Sequence, residues 1–287
     1  ILNTNSKNLK ELFLFLFRKN NINHGDLFKN AKLTLFLKEN IDQIKKIINS
    51  DSLLLKNEYI KNLLKQELVL LILQKSLIVD KLFEKLITKI RNEFLCILLK
   101  NKQKISKEYI DFIISLAQQC FFNEYIFYKS KEENSQVKKL ESKILKNKKI
   151  NELEIAILGC YMPLHNSKNL IKKLLNYKSN NVLFDDLIKL QIKEHLDEIK
   201  LSKSIKSLDN IVDNVSKKVR DQYEENPYPR WRYGNHSESQ KISILQGINN
   251  EINPNYISQT LGNEQLKVLI AGCGTGQQIL QAQRYKN

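Results

Sequence analysis

The sequence predicts a mainly helical protein whose last residues begin an α/β unit. Glycine and proline, which interrupt helices, are scarce in the first 204 residues, where only Gly25, Gly159 and Pro163 occur. Apolar residues recur there at the spacing of amphipathic helices. Near the end, a β-branched run is followed by glycines and then by a helical pattern. We therefore expect a helical domain over residues 1–204, a connecting segment over 205–263 and the start of an incomplete α/β domain over 264–287.

The helical domain contains one ambiguous stretch and two helix-start signals. The run LFLFLF at residues 12–17 fits a buried strand or a helix, and its helical neighbours favour a helix. Ser106 and Asn151 are candidate N-caps, because their side chains can accept a hydrogen bond from the first helical turn. The predicted apolar faces contain Leu82, Leu86, Ile87, Ile90, Ile110, Ile113, Ile114, Ala117, Ile155, Ile157 and Leu158.

Residues 129–149 are polar and basic, which predicts an exposed helix flanked by mobile links; a binding tail is the alternative. No clean 34-residue period runs through the helical domain, as a tetratricopeptide solenoid would require. An irregular helical bundle or a degenerate helical-hairpin array is therefore the predicted arrangement.

The connecting segment has a helical beginning and a proline-rich remainder. Its first helix runs to about Tyr223, and its apolar face consists of Leu208, Ile211, Val212, Val215 and Val219. The stretch QYEENPYPRWRYGN (222–235) cannot stay helical, because Pro227 and Pro229 remove backbone donors and push the preceding residue to an extended shape. One further short helix is expected around Gln240 to Leu245.

The last 24 residues contain the motif with the clearest chemistry. Lys267 to Ala271 (KVLIA) reads as a buried strand, Gly272 to Gly276 as a turn, and Gln277 to Tyr285 as a helix. Such a turn directs free backbone N–H groups at one point, and its glycines allow positive φ and close approach of a ligand. The spacing GxGxG matches neither the dinucleotide fingerprint GxGxxG nor a P-loop.

This strand–GxGxG–helix order resembles motif I of the class I S-adenosylmethionine-dependent methyltransferases. The stretch VRDQYEENPYPRW (219–231) is similar to the segment that precedes the methyltransferase domain in bacterial proteins with a helical, often tetratricopeptide-like, N-terminal half. The resemblance covers about residues 205–287. The N-terminal half is similar to those proteins only in being helical. It implies a Rossmann-like α/β domain, truncated after motif I, that binds S-adenosyl-L-methionine.

The resemblance also implies which residues hold the cofactor. They are Gly272, Cys273, Gly274, Thr275, Gly276, Gln277, Tyr223, Tyr228, Arg230 and Trp231. Arginines 230 and 232 are planar cations that can clamp a carboxylate, and the aromatic residues suit the rim of a pocket. The alternative is a proline-punctuated linker whose aromatic residues only pack. The family motif has an acidic residue two positions before the first glycine, and Ile270 stands there instead.

Other functional residues are not indicated. Cys273 between glycines fits a steric role better than a nucleophile. The four histidines are dispersed without ligand spacing, and neither a metal site nor catalytic residues are predicted. Because four scattered cysteines contain no CxxC pair, we expect reduced thiols and a cytoplasmic setting.

The formal net charge of +16 at pH 7 is compatible with a nucleic-acid partner. However, lysine greatly outnumbers arginine and accompanies abundant Asn and Ile, so AT-rich codon usage is favoured as the cause. No apolar run approaches the length of about 20 residues that a membrane span needs. The expected partner is therefore a methyl acceptor, either a small molecule or a protein, with a protein partner possible on the helical half.

The acidic residue that would bind the cofactor's ribose belongs about 20 residues past the glycines, beyond Asn287. We therefore expect an incomplete methyltransferase with no activity of its own, whose helical half recruits substrate. The alternative is a helical protein-interaction scaffold without catalysis.

Overall fold

The molecule is mainly helical. The computed structural model describes residues 7–35, 38–50, 53–100, 105–205, 212–225, 227, 230, 232–233, 241–258, 268–282 and 285–286. The helices are α1 Lys7–Arg18, α2 His24–Leu35, α3 Lys38–Asn49, α4 Glu58–Leu64, α5 Glu67–Lys75, α6 Lys81–Lys100, α7 Ile110–Phe122, α8 Lys131–Lys146, α9 Glu152–Gly159, α10 Lys168–Leu174, α11 Val182–Ile188, α12 Glu194–Ser202, α13 Asn214–Glu225, α14 Ile244–Glu251 and α15 Gln277–Ala282.

Helix α7 lies at the centre of the helical domain and packs against α5, α6, α9 and α11. Most of its side chains are buried, including Phe112, Ile113 and Ile114. The predicted helix over LFLFLF is confirmed as α1, which buries Phe13 and Phe17 on one face. Packing around one central helix places residues that are distant in sequence side by side.

The predicted caps are confirmed. The Asn151 side chain accepts from Glu154 N at the start of α9. Ser106 accepts from Glu108 N and starts the 3₁₀ turn Lys107–Tyr109 that leads into α7. Each cap satisfies a backbone donor that the first helical turn would leave unpaired.

The exposed helix predicted over 129–149 was only partly correct. Helix α8 begins with a capping box between Ser130 and Glu133. It buries Val137, Leu140 and Ile144 against the domain core. The stretch is polar on average, but it contains a narrow stripe of apolar residues at helical spacing. This stripe is enough to pack one face of α8 against the core.

The strand predicted at Lys267 to Ala271 is wrong for the described residues of that stretch. Residues 268–270 form no strand, and Leu269 is 91% exposed. A buried strand needs hydrogen-bonded neighbours, and the described residues offer it none. The two-residue strands β1, Ile242–Ser243, and β2, Tyr285–Lys286, pair in parallel with each other instead.

Three predicted helix boundaries were also displaced. Helix α13 begins at Asn214, and Leu208 and Ile211 lie outside the described residues. The helix expected near Gln240 to Leu245 is α14, which starts at Ile244 because the Ser243 side chain accepts from Gln246 N. Helix α15 ends at Ala282, since Tyr285 belongs to β2 and lies against Gly247 of α14.

In the part of the chain that the structure describes, no helix combines the length and the apolar character that crossing a membrane requires.

Candidate functional site

The glycine turn, residues Gly272–Gly276, has the backbone conformation that its sequence predicts. Gly272, Gly274 and Gly276 have φ of 65, 51 and 89°, values that favour glycine. A Cβ atom added at Gly272 or Gly274 would meet nothing within 4 Å, so the backbone is open on that side. The Cys273 thiol lies 3.8 Å from the Gly274 carbonyl oxygen. Gln277 begins α15, a helix of six residues.

The glycine turn borders a cleft of about 350 Å³ on the helical domain. This volume is in the range of about 300–1,000 Å³ that small-molecule sites occupy. We call this cavity the cleft. It is lined by Phe121, Phe122, Leu190, Glu194, His195, Glu198, Pro227, Arg230, Arg232, Gly274 and Thr275. The glycine turn and the proline–arginine stretch therefore meet at one place, although some 40 residues separate them in sequence.

We call the described residues Pro227, Arg230, Arg232 and Tyr233 the strap. Arg230 stacks its guanidinium on the ring of Phe121, 4.5 Å from the ring centre, and forms an ion pair with Glu124. Glu124 and Tyr125 have φ of 55 and 57°, uncommon for residues other than glycine. This left-handed turn after α7 directs Glu124 towards the strap. Its conformation is held by the Tyr125 N–H, which donates to the Cys120 carbonyl over 2.9 Å.

Arg232 fastens the strap to the helical domain a second time. Its Nη1 and Nη2 donate to the two Asp186 oxygens over 2.5 and 2.6 Å. Gln118 of α7 also donates to Asp186, over 2.9 Å. The hydrogen-bonded Asp186 carboxylate raises the pKa of Arg232. The sequence predicted that these arginines clamp a carboxylate but not which one. In the structure the carboxylates are those of the protein itself, Glu124 and Asp186.

A π-helical turn, Lys189–Lys193, joins α11 to α12 and shapes the wall of the cleft. Such turns are rare and occur often at functional sites. The fully buried Gln191 side chain accepts from Leu164 N over 3.1 Å and donates to the Ala117 carbonyl over 3.2 Å. These bonds hold the turn against α7, and Glu194 and Glu198 of the following helix α12 line the cleft.

Two histidines stack beside this turn. The rings of His165 and His195 are parallel within 13°, with centres 3.7 Å apart. His165 Nδ1 lies 3.0 Å from the Gln191 carbonyl oxygen. Since a carbonyl oxygen only accepts, Nδ1 carries the proton. Burial, and then the proximity of His195, lowers the pKa of His165 to about 4, so its ring is neutral at pH 7.

The remaining predicted site residues are distributed as follows. Tyr228 and Trp231 lie outside the described residues. Tyr223 is exposed on α13 and is not among the residues that line the cleft. Gly274, Thr275 and Arg230 do line it.

Sequence reasoning missed Glu124, Asp186, His165 and His195. None lies in a recognisable motif. The fold places His195 in the cleft, and it places Glu124, Asp186 and His165 against residues that line the cleft.

Comparisons of the chain with protein-family models, with curated proteins and with solved structures found no significant match.

Proposed function

We propose that the chain is part of an S-adenosylmethionine-dependent methyltransferase, and that the cleft holds the cofactor against the glycine turn. The observation that carries the proposal is the meeting of the two stretches that resemble the family. Gly274 and Thr275 of the glycine turn share the cleft with Pro227 and Arg230 of the strap. A glycine turn that resembled motif I only by chance would not be expected to share a cleft with Pro227 and Arg230.

The described residues of the cleft fit such a ligand. Bare backbone at Gly272 and Gly274 allows close approach of a nucleoside. Phe121 and Leu190 provide an apolar wall, and Glu194 and Glu198 provide carboxylates for a ligand that carries positive charge and hydroxyl groups. The glycine turn has the form that the proposal requires, whereas the strand before it does not pair among the described residues.

When bound, S-adenosylmethionine supplies an electrophilic methyl group. The chain's own residues would hold and orient it: the glycine turn on one side and the α12 carboxylates on the other. The strap would help to exclude water, because Arg230 and Arg232 line the cleft and are held there by Glu124 and Asp186. Positioning of this kind accounts for much of the catalysis in reactions between two bound groups.

Binding of S-adenosylhomocysteine to the 287-residue chain, measured by calorimetry, tests the proposal. Gly274→Val should weaken binding at least tenfold, because a left-handed conformation costs a residue with a side chain about 1–2 kcal/mol and the side chain also fills the ligand's space. Gly25→Ala is the matched control, since Gly25 lies in α2 with no positive φ. Absence of binding by the folded protein, or equal binding by both variants, would refute the proposal.

A second candidate function, a helical scaffold for a protein partner, is favoured by one separate observation. A groove of about 1640 Å³ runs between the ends of α8, α9 and α11, larger than the sites of small molecules. Its carboxylates are engaged within the protein: Glu154 by Lys143, Glu152 by Tyr177, and Asp111 by Asn181.

Four lysines of the groove have no carboxylate within 4 Å among the described residues; they are Lys107, Lys148, Lys149 and Lys178. An acidic protein segment would complement them. A labelled poly-glutamate peptide should therefore bind the protein at low salt and bind more weakly to Lys148→Gln/Lys149→Gln. An unchanged affinity of the variant would reject this groove as the docking surface.

A further inference from the structure

Helix α8 presents a line of lysines and serines to the solvent. We call these five exposed residues the α8 face: Ser135, Lys138, Lys139, Ser142 and Lys146. Their spacing of three and four residues places them on one side of the helix. They border one surface depression of about 580 Å³. The α8 face is therefore a continuous polar surface rather than a set of scattered side chains.

The apolar residues of α8 are used within the protein. Val137, Leu140 and Ile144 are buried on the opposite side of the helix, which packs against α6 and α9. Leu145 is half-buried and packs on the same core. Every exposed residue of α8 is polar. Only charged and polar groups remain on this helix to contact a partner.

The positive charges of the α8 face are not compensated by the described protein. Lys138, Lys139 and Lys146 have no carboxylate within 4 Å among the residues that the structure describes. Lys143, which is only half-exposed, pairs instead with Glu154 over 2.9 Å. At a rise of 1.5 Å per residue, the α8 face extends over about 16 Å. It thus offers a row of hydrogen-bond donors to an extended anion.

The chemistry of this row distinguishes three classes of partner. A protein interface has an apolar centre, and a helix that lies on a membrane inserts apolar side chains; the α8 face has neither. Interfaces with nucleic acid are polar and positively charged, and lysine and serine side chains supply many of their phosphate contacts. The neighbouring groove differs, because it also offers apolar Ile150 and Leu153. The α8 face fits a phosphate backbone best.

We propose that the α8 face binds the phosphodiester backbone of a nucleic acid without preference for sequence. The lysine ammonium groups act as point charges against the phosphates, and the serine hydroxyls donate to phosphate oxygens. None of the five side chains is an arginine, asparagine or glutamine, the types that pair with base edges most specifically. None lines the cleft, so the nucleic acid would bind apart from the proposed cofactor.

Binding of a short, fluorescently labelled DNA duplex to the 287-residue chain, followed by anisotropy over a salt series, tests the proposal. Each phosphate contact contributes about 0.9 to the slope of log affinity against log salt concentration. Lys138→Gln/Lys139→Gln/Lys146→Gln should therefore lower the slope by about 3. Between about 50 and 200 mM salt, the wild-type affinity should fall about 40-fold more than that of this variant.

Lys29→Gln/Lys46→Gln/Lys85→Gln is the matched control. It removes the same charge from exposed lysines of α2, α3 and α6 that form no ion pair among the described residues, and it should keep the wild-type slope. Equal slopes for the two variants would show that net charge alone drives binding, and this result would overturn the proposal.

Two further probes separate the other sources of negative charge. Poly-glutamate that displaces the duplex at equal charge concentration would identify a surface for acidic proteins. Phosphatidylserine vesicles that bind as tightly as the duplex, and lose binding in the α8 variant, would identify a lipid surface. Either result, or no binding of the duplex at low salt, would overturn the proposal.

Discussion

The bidentate pair between Arg232 and Asp186 should hold the strap on the helical domain, and a double-mutant cycle can measure its contribution. The side chains are 18% and 32% exposed, and both hydrogen bonds are short, 2.5 and 2.6 Å. Hydrogen bonds to charged groups contribute about 1.5–3 kcal/mol when buried, and exposed ion pairs about 0–1 kcal/mol. This partly exposed pair should therefore show a coupling energy of about 1–3 kcal/mol.

Urea unfolding of Arg232→Ala, Asp186→Ala and the double variant gives this coupling. Circular dichroism reports the helices, and the fluorescence of Trp231, the one tryptophan of the chain, reports a residue next to Arg232 in sequence. With a slope of about 1–3 kcal/mol per molar urea, a loss of 2 kcal/mol moves the midpoint by about 1 M. Gln118 also donates to Asp186. This hydrogen bond is lost in Asp186→Ala and in the double variant alike, so it cancels from the coupling energy.

Arg18 and Glu67 provide the matched control. They also form a bidentate pair, at 2.8 and 2.6 Å, but their side chains are 56% and 49% exposed. Water and salt screen such a pair, so its coupling should be clearly smaller and should vanish at high salt. A coupling at the strap no larger than that of the control pair would refute the reasoning that burial of Arg232 strengthens its attachment.

Three further predictions concern stability. Because folding lowers the pKa of His165 to about 4, the unfolded chain binds more protons between that pH and about 6.5, and stability should fall as the pH drops through this window. His165→Phe should flatten the wild-type slope in urea titrations from pH 4 to 7, and an unchanged slope would contradict the assignment. Gly247→Val should detach β2, because even a Cβ there would clash with the Tyr285 ring; amide exchange at residues 285–286 should then accelerate, and unaltered protection would argue against this packing. Lys173→Met should cost about 1 kcal/mol in urea unfolding, since Lys173 donates to the last carbonyls of α8, whereas the exposed neighbour Lys172→Met should cost little; equal losses would contradict the cap.

The local structure could be predicted from the sequence wherever short-range interactions decide it. Asn151 and Ser106 cap helices because their side chains reach backbone donors only two or three residues away. The glycine turn has positive φ at Gly272 and Gly274 because glycine alone adopts it at little cost. These effects need no tertiary contact, so they can be read directly from the residues.

Partner choice could not be predicted, because it depends on contacts between distant residues. The sequence identified Arg230 as a cation seeking a carboxylate, but only the fold shows that Glu124, 106 residues earlier, is that carboxylate. The burial of α8 also depends on contacts between distant residues, because Leu140 becomes a core residue only when α6 and α9 lie beside it. The strand predicted at residues 267–271 failed for the converse reason: a strand needs partners, and the described chain supplies none.

The sequence by itself determined a helical domain, its helix starts and a glycine turn suited to close approach by a ligand. The tertiary structure decided that this turn borders the same cleft as Arg230 and α12, that His165 stacks on His195, and that Arg232 pairs with Asp186. The physical reason is that helix propensity, capping and backbone freedom act over a few residues, whereas burial, ion pairing and cavity shape arise only when remote segments pack together.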